Sequence, residues 1–274
     1  SLDGARTLSL PEGVFGVAHG TGAVDHRSVD VSIRLDEQGG GVATATEELT
    51  GWPALEWAEL VDRLGGDRSR LRQDFEQRWL GVQFPGARLD DLDVDVPKGA
   101  PGTSPVRVRY SFVSPQLAVR GDHEMTLLPT FFRSQPGRRF ATEARRDTTL
   151  MLGFDVPVHL RATVELPRAA YLVEATPGVP GGGVDRVERA GGYHFVEERR
   201  LRAARPSEAS GAGARDSRGG AGAPQVLVLT RDSAMPLQRI APRDYAGVAA
   251  DLRRVDGLEQ QEIRIRLRGP RGAP

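Results

Sequence analysis

Most of the chain alternates apolar and polar residues with period two. Val29, Val31, Ile33 and Leu35 interleave with Ser28, Asp30, Ser32 and Arg34. The cluster Asp36-Glu37-Gln38-Gly39-Gly40-Gly41 interrupts the pattern, and Val42-Ala43-Thr44-Ala45-Thr46 resumes it. This predicts a β-hairpin with a somewhat long loop. Val106, Val108, Tyr110 and Phe112 alternate with Arg107, Arg109 and Ser111. Leu160, Ala162, Val164 and Leu166 alternate with Arg161, Thr163 and Glu165. Residues 193–196, 226–229 and 263–267 continue the theme. One face of each strand can be buried while the other meets water, the signature of antiparallel sheets.

One region follows a helical period instead. Pro53 suits a first helical turn, where its missing N–H costs nothing. Trp57, Leu60, Val61 and Leu64 follow at i, i+3, i+4 and i+7. Gly65-Gly66 ends that helix and Asp67 can cap the next. Leu71, Phe75 and Trp79 then recur every four residues, with Asp74 and Arg78 spaced for an ion pair. The stretch 53–80 therefore reads as a helical pair packed on a sheet, and burial accounts for Trp52, Trp57 and Trp79 in or beside it. A short third helix starts at Pro242-Arg243-Asp244-Tyr245, carries Val248 and Leu252 on its apolar side and is followed by Gly257. A strand over 262–267 closes the fold, and 269–274 reads as a tail.

The stretch 203–224 is rich in Gly, Ala, Ser and Arg and nearly devoid of large apolar residues. It cannot bury enough surface to offset its ordering entropy. It reads as a loop between two paired strands; an interdomain linker fits less well, because too few residues follow it to make a further domain. Gln135-Pro136-Gly137-Arg138-Arg139 separates an apolar run from a charged one. The chain is thus expected to be mainly β (α+β), with two antiparallel β-sandwich-like domains. The first covers residues 1–138 and carries the helical insertion; the second covers 139–274.

Composition narrows the function classes. With 37 basic and 37 acidic residues the formal net charge is zero, so nothing suggests general affinity for nucleic acid or anionic membrane. No apolar run reaches the ~18 residues of a membrane span. Cysteine is absent from the 274 residues, which excludes disulfides, thiolate metal sites and a cysteine nucleophile. Lys98 is the sole lysine among the basic residues, and glycine and alanine abound, as in a GC-rich bacterial genome. The chain begins at Ser1 without a signal-like segment and reads as a fragment or processed product.

Candidate chemistry is sparse. His19, His26, His123, His159 and His194 form no HExxH or HxH pair. Asp122-His123-Glu124 offers three ligand types in a row, but on a strand His123 points away from its neighbours. His19-Gly20-Thr21-Gly22 lacks the ending of a phosphate loop. Asp90, Asp91, Asp93 and Asp95 could attract calcium, though carboxylates on an exposed strand are usually just solvated. Arg120-Gly121-Asp122 reads as a hairpin turn. Arg145-Arg146 suits either an anion or charge pairing on an interdomain surface. A Ser-His-Asp set or a metal site assembled from distant residues would need a pocket holding a histidine with a partner carboxylate. No catalytic, cofactor-binding or metal residue is assigned.

Arg146-Asp147-Thr148-Thr149-Leu150-Met151-Leu152, Val164-Glu165-Leu166-Pro167 followed by Pro177, and Ile240-Ala241-Pro242-Arg243-Asp244-Tyr245 through Arg253 to a last strand form an ordered set. The first half adds Leu8-Ser9-Leu10-Pro11-Glu12-Gly13 and the stretch Pro105 to Tyr110. In order and spacing these resemble the C-terminal β-rich region of large exported bacterial transglutaminase-like proteins, which also carry an N-terminal domain of unknown function. The family's activity requires a Cys-His-Asp triad in its core, which a chain without cysteine cannot supply. The resemblance therefore implies a non-catalytic accessory region, periplasmic or in the cell envelope, that supports or targets a catalytic core. An upstream domain of the same chain would be its partner, and an envelope protein or glycan a further one. The other reading is a free-standing cell-surface module binding glycan or protein.

Overall fold

Strict alternation at 29–35 builds a strand with every second residue in the core: Val29, Val31, Ile33 and Leu35 are buried, while Asp30, Ser32 and Arg34 face water. The same rule generates the rest of the sheet. The computed structural model describes residues 25–98, 104–127, 132–153, 155–174, 182–188, 193–203 and 225–268, together with two strands near the start. In chain order the strands are β1 (Arg6–Ser9), β2 (Val14–Val17), β3 (His26–Leu35), β4 (Gly41–Thr50), β5 (Arg88–Asp95), β6 (Val106–Ser114), β7 (Ala118–Arg120) and β8 (Glu124–Leu127). They continue with β9 (Leu150–Leu152), β10 (Asp155–Glu165), β11 (Ala170–Glu174), β12 (Gly182–Glu188), β13 (His194–Ala203), β14 (Gln225–Met235), β15 (Gln238–Ile240) and β16 (Ile263–Leu267). The helices are α1 (Trp52–Arg63), α2 (Arg68–Phe75), α3 (Gly81–Gln83), α4 (Pro136–Phe140) and α5 (Tyr245–Glu259).

Eight strands form one sheet in the order β12-β13-β14-β10-β3-β4-β6-β5, and four form a second in the order β11-β16-β8-β7. One face of the large sheet packs on the small sheet, on α1, α2 and their continuation, and on α5. The principal core joins Val31, Ala162 and Leu229 of the large sheet to Met125, Val173 and Ile265 of the small one. A second cluster packs Val187, Phe195 and Met235 against Tyr245, Val248 and Leu252 of α5.

The mainly β reading holds, but the two separate sandwiches expected from sequence are not what the strands form. β10 lies beside β3 in parallel, with Ala162 opposite Val31, so strands from both sides of residue 138 share one sheet. The large sheet is mixed, because this pair runs parallel among antiparallel neighbours. The segment 135–139, expected to be a boundary, is instead the short helix α4 docked on α5.

The helical pair forms as its sequence signals direct. Asp67 accepts hydrogen bonds from the N–H groups of Ser69 and Arg70 and so caps α2. Gly65 and Gly66 both take positive φ after α1. Gly51 precedes α1 with φ 64°, and a Cβ there would lie 2.2 Å from Asp25 Oδ1. That same oxygen accepts from Trp52 N at 2.8 Å, fixing where α1 begins. After α2 the chain tightens no further but widens into a π-helical turn over Glu76–Leu80. The last helix spans 242–259 when its leading 3₁₀ turn is included, and β16 follows as expected. The loop at 203–224 joins paired strands, Ala203 lying opposite Gln225, though 204–224 lies outside the described residues. The tail at 269–274 lies outside them as well. Among the described residues no helix is long and apolar enough to cross a membrane.

Candidate functional site

A cleft of about 480 Å³ opens between the helical pair and the large sheet, at the end where β3 and β10 begin. Its walls come from α1 (Pro53, Trp57, Leu60), from α2 and the π turn (Phe75, Trp79), and from the sheet (Leu49, Val156, Val158). Arg27, Glu56, Asp74 and Arg78 supply its charged groups. π turns often sit at functional sites, because the extra residue re-aims a side chain. Here the turn carries Trp79, whose ring stacks on Phe75 at 5.0 Å and meets Phe132 at 5.2 Å.

Arg27 is the fixed point of the cleft. Its Nε and Nη2 donate to Glu47 Oε2 at 2.9 and 2.7 Å, and its guanidinium lies over Phe132 at 5.0 Å and over Trp79 at 5.7 Å. Three partners therefore hold one planar cation. Glu47 is 1% exposed, and its other oxygen accepts the Tyr110 hydroxyl at 3.0 Å. Burial, with the adjacent Glu47 carboxylate and its hydrogen bond, holds the Tyr110 pKa well above its ordinary value; Arg27 opposes this only in part. At the rim Asp74 pairs with Arg78 at 3.0 Å. Trp52 donates from its indole N–H to Glu56 at 2.9 Å. Trp52 is 52% exposed, so burial does not account for it, whereas Trp57 and Trp79 pack partly against the core.

A second set of charges is buried between the sheet and α5. Glu197 takes Arg199 on one oxygen and Arg231 on the other. Arg231 also reaches Glu259 at 3.4 Å and the Phe132 carbonyl at 3.3 Å. Glu259 in turn accepts from Ser134 N, Ser134 Oγ and Gln135 N, each at 2.9 Å. One turn earlier on α5, Asp256 accepts from Gly137 N and Arg138 N, each at 2.8 Å. Two arginines and two glutamates thus neutralise each other, and the α5 carboxylates pin residues 134–138. Phe132 and Gln135 hold positive φ of 49° and 46°, strain that persists because both ends of the segment are tied down. The segment links the network to the cleft, since the Phe132 ring sits against Arg27.

The residues singled out by sequence are scattered. His19 lies outside the described residues. His26 opens β3, His194 opens β13, and His123 sits in the turn between β7 and β8. That turn is the expected hairpin over Arg120-Gly121-Asp122, closed by Gly121 N donating to the Glu124 carbonyl at 2.8 Å. Glu124 bonds Arg266 rather than joining His123. Asp91 and Asp93 of β5 pair with Arg72 and Arg109. Arg145 pairs with Asp147, and Arg146 lies over Tyr245 at 5.7 Å. His159 Nδ1 and Asp232 Oδ1 are 2.6 Å apart, with Ser28 in register on the next strand. This row lies on the face of the sheet opposite the cleft, with the His159 and Asp232 side chains both about half exposed. Among the described residues no group of three or more His, Asp or Glu is placed to hold a metal ion.

Arg27, Glu47, Tyr110, Phe132 and the buried network were not singled out by sequence. A signal did exist. Glu47 falls between Ala45 and Leu49, and Arg231 follows Leu227 and Leu229, all at core-facing parity. A charge at a core-facing position must find a partner, because an unpaired buried charge is prohibitively costly. Compared with family models, with curated proteins and with solved structures, the chain has no match.

Proposed function

We propose that the chain is a non-catalytic, β-rich accessory region of a bacterial transglutaminase-like envelope protein, and that it positions or targets the catalytic core by binding. The cleft is the observation that carries this reading. Arg27 is committed to Glu47 and Asp74 to Arg78. Charges committed in pairs give a shaped, fixed surface, which suits recognition. Two of the segments behind the resemblance also pair in space, Ile240 lying opposite Leu150 across β15 and β9.

Immunoblotting of fractionated bacteria that make the protein, with antiserum raised against this chain, tests the reading. The expected species is larger than the chain's 29.7 kDa, lies in the envelope fraction and contains a Cys-His-Asp core on peptide sequencing. A cytosolic species of 29.7 kDa overturns it. The second reading, a free-standing surface module, draws support from the exposed rim tryptophan, Trp52. A 29.7 kDa species at the cell surface would select it.

A further inference from the structure

We infer that the cleft receives a short apolar peptide with free termini, its carboxylate taken by Arg27 and its ammonium by Glu56. The inference rests on reading the chain as a binding region, and it names the class of ligand.

Arg27 is oriented before any ligand arrives. Its Nε and Nη2 are occupied by Glu47, whose burial prevents the pair from swinging out. Among the described residues Nη1 has no hydrogen-bond partner, and a quarter of the side chain remains exposed. A donor held this way loses little freedom on binding an acceptor. A carboxylate oxygen is the strongest partner for it. Glu56 lines the same cleft with one oxygen engaged by Trp52 and the other without a protein partner among the described residues. Since Asp74 and Arg78 neutralise each other and Arg27 is paired with Glu47, Glu56 is, among the described residues, the charged group of the wall left uncompensated. A ligand carrying both a carboxylate and an ammonium complements both sites, whereas a simple anion meets Glu56 unfavourably.

The remaining wall decides the body of the ligand. Leu49, Pro53, Trp57, Leu60 and Val158 offer an apolar surface that suits aliphatic or aromatic side chains. Trp79 offers a sugar no open face, since it is stacked on Phe75 and crowded by Arg27 and Phe132. A cleft of about 480 Å³ suits a di- or tripeptide better than a longer chain.

Calorimetric titration of the protein tests this with a panel of apolar dipeptides and tripeptides, among them leucyl-phenylalanine. Each is compared with its N-acetylated form, its C-terminal amide and a neutral oligosaccharide. The free peptides are expected to bind at least tenfold more tightly than either blocked form. Glu56→Gln, at an exposed position that leaves the fold intact, is expected to abolish the preference over the N-acetylated form alone. Leu60→Trp, which fills the cleft, is expected to abolish binding. Equal affinity for free and blocked peptides overturns the inference, as does binding by none of them. Binding of the oligosaccharide in their place overturns it too, while leaving the binding role intact. The accessory reading is judged separately, by the size and location of the cellular species.

Discussion

Glu47 holds two groups that would otherwise be stranded, the Arg27 guanidinium and the Tyr110 hydroxyl. Glu47→Ala should destabilise the protein by about 3 kcal/mol, the lower end for breaking a buried pair, because Arg27 keeps part of its charge in water. Urea denaturation measures it, and a loss within experimental error would contradict the assigned pairing. Tyr110 adds a pH dependence. Its folded pKa is raised, so its contribution is complete below the ordinary tyrosine value near 10 and is lost as pH rises toward the folded value. Above about pH 10 the unfolded chain gives up this proton while the native protein keeps it, a slope of roughly 1.4 kcal/mol per pH unit. Tyr110→Phe should remove that slope; parallel stability-versus-pH curves for the two proteins would refute it. The pairing that matters here was half legible in the sequence. Core-facing parity marks Glu47 as a buried charge, but only the folded register shows that Arg27 and Tyr110 are what meets it.

At the scale of elements, local chemistry was readable and long-range docking was not. Pro53, Gly65-Gly66 and Asp67 each act within a few residues, so the ends of α1 and α2 follow from sequence. Asp67→Ala should cost about 1 kcal/mol, the usual value for a lost N-cap. Amide exchange at Ser69 and Arg70 should quicken first, since their N–H groups lose their acceptor. Helix α4 shows the opposite case. Pro136-Gly137-Arg138-Arg139 has the composition of a turn, and what makes it helical is a pair of carboxylates more than a hundred residues downstream. Gly137 is needed there for room: a Cβ would sit 2.7 Å from Asp256 Oδ2 and 2.9 Å from the Arg253 Cα. Gly137→Ala should therefore lower stability by roughly 2 kcal/mol through overpacking. Thermal unfolding checks this, and an unchanged midpoint would mean that α4 moves aside freely.

For the whole molecule, alternation along each strand revealed which residues face the core but not which strands are neighbours. A half-buried strand reads the same whether its partner is parallel or antiparallel, and open-faced parallel pairs are uncommon enough that the antiparallel reading is the natural one. The β3–β10 pair departs from that expectation and joins the two halves of the chain. Residues 1–138 alone would leave Val31 and Ile33 without the core they share with Ala162 and Val164. Neither 1–138 nor 139–274 is therefore expected to fold when produced by itself, and the intact chain should unfold in one transition. Circular dichroism of the two halves and calorimetry of the whole test this; two well-separated transitions would show that the halves are independent after all.

The same pair sets an order of events during synthesis. Arg34 of β3 bonds Glu165 of β10, 131 positions along the chain. Until the ribosome has released β10, the first half can assemble only as the sheet β3-β4-β6-β5, with β3 as a bare edge. Its backbone donors and acceptors would then be open to any passing strand, and Val29, Val31 and Ile33 would be only partly covered. Closing so long a loop is slow, because its entropy must be surrendered before the contacts form. A nascent chain paused in that interval is the form of this protein most exposed to aggregation, and a holding chaperone would act on it there.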